Sequence, residues 1–347
     1  MNLRVIQPGE LAAAARLADE VFRDSGERSM RELFPPLFDP GITESYGAFD
    51  EEGTLAAFMG LVPFGIQAGT ARLRTYAVGS VCTAPLYRGR GLASGLLRLC
   101  REHACRAGAA LLFVSGDRSL YTRAGCVPFG QVHTARLPAG AFGEADGWEI
   151  RPMEPADLWD VRRLLASRAA SHELGHGELA RLLGAGAYAG VLGRSQRCLV
   201  AARSGAVQAF AAAALPRTPD EPGPGTALEW AGPADAVARL LGRAAAESGG
   251  LDVPVPWQER ELLRLLAGAG ASLQTGPNSG TAGIASRDAL LRQVSGTADH
   301  GGAVWAEGLD DAGLLSLLFD PDSPLRRHHP NAPPALPLPY MSGLAFI

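Results

Sequence analysis

The segment Val81-Cys82-Thr83-Ala84-Pro85-Leu86-Tyr87-Arg88-Gly89-Arg90-Gly91-Leu92-Ala93 is where chemistry first becomes legible in this chain. Its apolar beginning is a strand that stops at Pro85, a basic glycine-containing loop follows, and a helix starts at about Leu92. A helix start leaves backbone N–H groups without partners and carries the positive end of the macrodipole, so glycines that bring the chain close there create an anion seat. Arg88 and Arg90 add charge-assisted donors, and the ligand implied is a diphosphate. About thirty residues on, Leu120-Tyr121-Thr122-Arg123-Ala124-Gly125-Cys126-Val127 puts a phenol on a short helix. Its ordinary pKa near 10 keeps it protonated at neutral pH, as a proton donor must be.

The elements that position these groups follow from hydrophobic periodicity. Leu3 to Ile6 alternates as a strand and Pro8 to Phe22 has helical spacing. Leu33 to Phe38 is hydrophobic but broken by prolines, more a lid or wall than a regular element. Tyr46 to Phe49, the turn Asp50-Glu51-Glu52-Gly53 and Leu55 to Phe64 form a hairpin. A strand from Arg72 to Thr83 delivers the loop, and Leu92 to Ala107 is a helix stopped by Gly108. Ala109 to Val114 is a buried parallel strand, and Ser119 to Ala124 is the short tyrosine helix. The class is α/β with a mixed sheet.

Around Trp148 the pattern restarts. Trp148 to Met153 and Ala156 to Ala169 copy the opening strand and helix. Arg197 to Leu215 copies the hairpin, and Leu228 to Gly232, Ala234 to Ala246, Leu251 to Val255 and Glu259 to Ala267 copy the rest. The chain is a tandem duplication, with units expected at 1–146 and 147–290 and a C-terminal segment at 291–347. In the second copy the loop is Gly232-Pro233-Ala234-Asp235-Ala236, with an acid and no arginine, so that copy should hold no diphosphate. Leu309 to Phe319 is a last helix. The proline-rich tail after it ends in the apolar run Tyr340 to Ile347, which should dock on the protein rather than stay in solvent.

Composition bounds the partners. The chain has 347 residues, 47% hydrophobic and 20% charged, with a formal net charge of −4. Without a general cationic field, nucleic acid and membrane surfaces are not expected partners. The chain contains no lysine, so no catalytic lysine exists. The five cysteines are odd in number and lack metal-ligand spacing, which suggests buried, reduced thiols in a cytoplasmic protein and no metal site. No signal peptide or membrane span is expected. Arg72 and Arg74 are read with Arg88 and Arg90 as flanking the loop, and His172, His176, His328 and His329 as surface residues.

The run Val81-x-Thr83-x-Pro85-x-x-Arg88-Gly89-x-Gly91-x-Ala93, with Tyr121 and Gly125-Cys126 downstream, resembles the acyl-CoA motif and the second landmark of the GNAT acetyltransferase superfamily. The resemblance implies two tandem GNAT-like mixed-sheet domains, the second degenerate. It implies acetyl-CoA as cosubstrate, held by Arg88, Gly89, Arg90, Gly91, Leu92 and Ala93. Val81, Cys82 and Thr83 match a strand that splays from its neighbour to receive pantetheine and the thioester carbonyl, and Tyr121 matches the general acid.

An amine acceptor must also lose a proton, and Glu44 before the second strand is one candidate base. The architecture is similar to tandem GNAT proteins of the enhanced-intracellular-survival type, which implies a second candidate, the α-carboxylate of Ile347. At this length the sterol-carrier-like domain that those proteins carry is not expected. The acceptor expected is a small-molecule or peptide amine, with walls from loops such as Met30 to Ile42, and a homo-oligomer is compatible with the sequence. Two alternatives stay open: a non-catalytic acyl-CoA sensor or interaction protein, and a dinucleotide-binding oxidoreductase using Gly89-x-Gly91-x-x-x-Gly95.

Overall fold

A computed structural model describes residues 1–41, 44–143, 147–218, 221, 223–295 and 304–347. β1 (Asn2–Val5) leads to α1 (Leu11–Phe22), which buries Leu11, Ala14, Ala15, Leu17 and Ala18. The expected irregular wall is instead two single-turn helices, α2 (Met30–Leu33) and α3 (Pro35–Phe38). Local chemistry explains both: the Ser29 side chain caps the first by accepting from Arg31 N, and Pro35, with its preset φ, opens the second. Ile42 and residue 43 lie outside the described residues.

β2 (Tyr46–Phe49), β3 (Leu55–Ala68) and β4 (Ala71–Thr83) form an antiparallel meander. α4 (Leu92–Arg106) returns the chain to β5 (Leu111–Val114), which is parallel to β4, and α5 (Ser119–Thr122) carries Tyr121. The remaining elements are β6 (Val132–Pro138), β7 (Glu149–Pro152), α6 (Leu158–Ala166), β8 (Ala170–His172), α7 (His176–Ala185), α8 (Ala187–Val191), β9 (Ser195–Arg203) and β10 (Ala206–Leu215). After them come β11 (Gly225–Ala231), α9 (Ala234–Ser248), β12 (Gly250–Pro256), α10 (Arg260–Gly268), β13 (Ser272–Gly276), β14 (Thr281–Ile284), α11 (Arg287–Ser295) and α12 (Asp311–Phe319).

Among the described residues these strands make two seven-stranded sheets. One runs β1-β2-β3-β4-β5-β14, with β8 added to β3, and the other β13-β6-β12-β11-β10-β9-β7. The order β7-β9-β10-β11-β12 repeats β1-β2-β3-β4-β5, which is the duplication read from the sequence. The strands that follow each copy are exchanged. β6 lies between β12 and β13 in the second sheet, while β14 closes the free edge of β5 in the first. A boundary at 146/147, next to residues 144–146 outside the described set, therefore does not separate the sheets. A boundary at 290 falls inside α11. Each exchanged strand covers an edge that would otherwise present unpaired backbone groups.

The first sheet has two functional faces. On one, which we call the front, α1, α2 and α3 pack with Phe58, Val62 and Cys82. On the back, α4 and Tyr121 pack with Met59, Tyr76, Val78 and Val114. The tail crosses the front and is fixed by backbone capture. Asn278, only 4% exposed, donates through Nδ2 to Pro339 O at 2.8 Å and accepts from Met341 N at 3.0 Å. Gln258 Nε2 donates to Leu338 O at 2.9 Å, and Leu338 and Leu344 are buried. No helix among the described residues is long and apolar enough to cross a membrane.

His172, expected at the surface, is buried, because β8 pairs with the end of β3 (Ile66 opposite His172) and joins the two copies. Burial, with the Arg168 charge nearby, pushes its pKa down to about 4, so the ring stays neutral in the folded protein. Between pH 6.5 and 4 the unfolded chain binds a proton that the folded one does not, so stability falls as pH falls through that window. The loss attributable to His172 should be about 2 kcal/mol at pH 5 relative to pH 7.5, at 1.36 kcal/mol per unit. Urea unfolding of wild type and His172→Gln at both pH values measures it: the variant should lose that component of the slope, and equal slopes would show that His172 is not its source.

Candidate active site

The loop after β4 is held before it is offered. Pro85–Tyr87 forms one 3-10 turn, and the Tyr87 hydroxyl donates to Asp50 Oδ2 at 2.5 Å, tying the loop to the β2–β3 turn. Gly89 and Gly91 follow with φ of +76° and +75°, a region that side-chain-bearing residues rarely adopt. The first hydrogen bond of α4 runs from Gly95 N to Gly91 O, so the amides of Leu92, Ala93 and Ser94 precede the ladder at the helix's positive end. Arg88 and Arg90 are exposed on the same turn, with Arg88 Nε reaching Thr83 O at 3.3 Å and the Arg90 guanidinium 5.2 Å from the Tyr87 ring centre. The turn therefore presents free backbone amides and two exposed guanidinium groups at one helix start, the chemistry an anion would need.

Arg72 and Arg74 are not part of it. They sit at the other end of β4, where Arg72 pairs with Glu173 at 3.4 Å. Arg98 and Arg101 on α4, which the sequence reading passed over, and Arg123 after α5, which it quoted without a role, line an open groove of about 480 Å³ together with Glu102, paired to Arg98 at 2.7 Å. Their one-turn spacing behind the loop was the available signal.

β4 and β5 pair from Thr75 opposite Leu111 to Val78 opposite Val114 and then part. Beyond that point β4 continues to Thr83 against β3 alone, so the edge that includes Val81, Cys82 and Thr83 faces a cleft leading to the loop. An extended chain with amide groups can enter such a cleft as an added strand. A bulge marks its depth, where the register shifts from Phe58–Cys82 to Gly60–Gly79. Ser80 inside the bulge has φ of +48°, and its buried hydroxyl has no hydrogen-bond partner in the protein. Such a conformation persists only where the surroundings impose it. Cys82 nearby is buried, and burial pushes its thiol up to about 12, which disfavours the thiolate.

The chain terminus meets the bulge from the front. A methyl at Gly79 would lie 2.8 Å from the carboxyl carbon of Ile347 and 2.7 Å from its Cγ2. Phe346 sits between the Tyr188 and Phe34 rings, at 4.7 and 6.0 Å. Tyr121 is on the back, 7% exposed, with its ring 3.6 Å from where a Gly116 Cβ would stand, at the end of β5. Burial raises its pKa, partly offset by the Arg118 charge, so the hydroxyl keeps its proton.

Glu44 lies on the back of the sheet, the side on which Tyr121 also packs. Its Oε2 accepts from the Tyr76 hydroxyl at 2.6 Å and faces His103 Nε2 at 2.7 Å. That ring nitrogen must carry its hydrogen toward the carboxylate, leaving Nδ1 to accept from Tyr46 at 3.1 Å in the neutral ring. Tyr46, His103, Glu44 and Tyr76 thus form a chain near the C-terminal end of α4, on the face opposite Ile347.

A Gly79→Ala variant tests whether the placement of the terminus matters. The added methyl must displace the Ile347 carboxyl carbon, and a shift of about 1 Å in a reacting group can cost on the order of 100-fold. Turnover should fall by that order while affinity for CoA, measured by titration, stays within about threefold. Unchanged turnover would show that the terminus has no part in the reaction.

The second copy has no equivalent seat. Its helix α9 starts directly at Ala234, with Val237 N bonded to Pro233 O, and Asp235 lies in the first turn. β11 and β12 pair over only two positions, Gly225–Leu251 and Thr226–Asp252. Nearby, Arg168 is held by Glu229 and, at 3.0 Å, by Glu259 in a mostly buried ion-pair cluster. The five cysteines are free, and Cys105 is exposed rather than buried. No cluster of metal ligands occurs among the described residues.

Residues 2–129 match the family model described as an acetyltransferase (GNAT) domain. No curated protein matches the sequence. A probable N-acyltransferase of Enterococcus faecalis V583 has a similar structure, with a TM-score of 0.67 at 14% identity, over 84% of this chain and 74% of that one. A GCN5-related N-acetyltransferase of Kribbella flavida gives 0.61 at 18% identity, over 84% and 74%. Eis1 of Mycobacterium abscessus gives 0.58 at 15% identity, over 84% and 75%. At these identities the structures show a shared fold.

Proposed function

We propose that this chain, whose residues 2–129 match the model of a GNAT acetyltransferase domain, transfers the acetyl group of acetyl-CoA to a small-molecule or peptide amine by direct attack. The observation that carries this reading is the approach of the Ile347 carboxyl carbon to the β4 bulge, 2.8 Å from where a methyl at Gly79 would stand, beside the point where β4 and β5 part on the way to the Gly89–Gly91 turn; Tyr121, packed on the back of the same sheet, is assigned the acid's role by the reading.

The amides from Gly89 to Ser94 and the side chains of Arg88 and Arg90 hold the diphosphate. The groove of Arg98, Arg101 and Arg123 receives the phosphorylated adenosine end. Pantetheine lies along the free edge of β4, and a donor at the bulge, in the region of Ser80 to Cys82, faces the carbonyl oxygen that becomes an oxyanion. One such donor is worth about 3 kcal/mol in the barrier.

The amine nitrogen attacks the thioester carbon, the C–N bond forms, and the C–S bond breaks. Sulfur takes the Tyr121 proton as it leaves. An α-carboxylate, with a pKa near 3.5, cannot deprotonate a free alkylammonium of pKa near 10 to any extent. Its role is to attract the cationic acceptor, which gives one proton to solvent to become the attacking neutral amine, and then to take a second proton from the nitrogen once bond formation has made it acidic. The carboxylate passes that proton to solvent and solvent returns one to Tyr121, so in net one proton of the ammonium goes to the thiol and the other is released. Cys82, with its raised pKa, supports direct attack over an acyl-cysteine intermediate.

The test is release of free thiol from acetyl-CoA in the presence of amines, including aminoglycosides, polyamines, amino acids and peptides. Amine-dependent release with at least one class is expected. CoA binding without release for any amine would leave an acyl-CoA sensor, and NAD(H) binding in place of CoA would remove the reading altogether.

A further inference from the structure

The bottom of the cleft is closed by aromatic rings. On the front face, just below the last β4–β5 pair at Val78 and Val114, Phe64 of β3 and Phe113 of β5 approach over the small Ala77 of β4, their ring centres 5.9 Å apart. Neither ring is free to swing away. Phe113, 4% exposed, is backed by Phe129 at 5.1 Å, and Phe64 by the His172 ring at 5.4 Å. Met341 and Ala345 of the captured tail, with Phe346 and Ile347, form the roof. The cavity left between these walls is about 20 Å³, little more than one water-sized sphere.

A CoA thioester entering from the loop end presents its acyl carbon at the bulge and its acyl chain toward this cavity. A methyl group is about the size of the space, and a longer chain must displace a packed ring or the tail. We infer that Phe64 and Phe113 are a chain-length stop that restricts the donor to acetyl and excludes acyl groups of four or more carbons. This rests on the acyltransferase reading above and adds the residues that decide the donor.

One extra methylene in a filled apolar pocket costs on the order of 10- to 200-fold in kcat/KM. With an amine that accepts acetyl, wild type should use propionyl-CoA at least about tenfold less well than acetyl-CoA, and butanoyl-CoA at least about a hundredfold less well. Phe64→Ala and the milder Phe113→Leu should each raise the butanoyl-to-acetyl ratio of kcat/KM by about tenfold or more. Because the readout is a ratio within each variant, partial loss of folded protein does not affect it.

Equal use of acetyl and butanoyl donors by wild type would overturn the inference and leave the acyltransferase standing. Strong preference for acetyl that neither substitution relaxes would overturn the assignment to these two rings. No thiol release from a thioester of any length would overturn the acyltransferase reading and the inference together.

Discussion

Converting the Ile347 α-carboxylate to an amide should lower kcat by about 10²- to 10⁴-fold, the range in which a positioned acid or base contributes. The amide keeps the shape of the terminus and the Phe346 packing between Phe34 and Tyr188, and removes only charge and basicity. KM for a cationic amine should rise as well, because the acceptor loses its counter-charge, while CoA affinity stays the same. A Gly-Gly extension should have a similar effect by a different route, since it moves the carboxylate from a site where Gly79 leaves no spare room. Semisynthetic amidated protein assayed beside the free acid decides the matter. Full activity of both modified proteins would return the search for a base to other side chains, and deletion of the last three residues is the coarser version of the same measurement.

Tyr121→Phe is the second large effect, a fall in kcat of roughly one to three powers of ten with CoA affinity nearly intact. The ring is part of the back-face core with Leu96, Leu97 and Val114, and phenylalanine preserves that packing. The loss should therefore report the hydroxyl alone. Burial also predicts a sign for the pH dependence. In the proposed role Tyr121 must be protonated, and burial raises its pKa, so its deprotonation should bring no decline in kcat until above pH 10, its ordinary value. An alkaline fall well below pH 10 in wild type, absent from Tyr121→Phe, would mean that the hydroxyl titrates unlike a buried phenol. Equal losses in kcat and in CoA affinity for the variant would instead assign it a binding role.

The difference between the two candidate bases shows where sequence reasoning stops. Glu44 and Ile347 were equally available as acids on paper. Folding puts Glu44 in a hydrogen-bonded chain with Tyr76 and His103 behind the sheet, and Ile347 in front, against the bulge. His172 shows the same limit: its neighbours in sequence are polar, but strand pairing with Ile66 buries it. The exchange of β6 and β14 was also illegible, because strand propensity says that a segment will pair without saying with which edge.

The sequence by itself determined the glycine-containing basic turn before α4, the tyrosine helix, the duplication and the lack of arginine at the matching turn of the second copy. All of these are local: turn chemistry, helix starts and hydrophobic period act over a few residues and are written in consecutive letters. The tertiary structure decided the rest, because it depends on residues tens to hundreds of positions apart meeting across a sheet. Only folding brings Ile347 to Gly79, Phe64 to Phe113 over Ala77, and the captured tail over the cleft. Those meetings follow from burial of apolar surface in a close-packed interior, where each position is set by neighbours that the order of residues does not name.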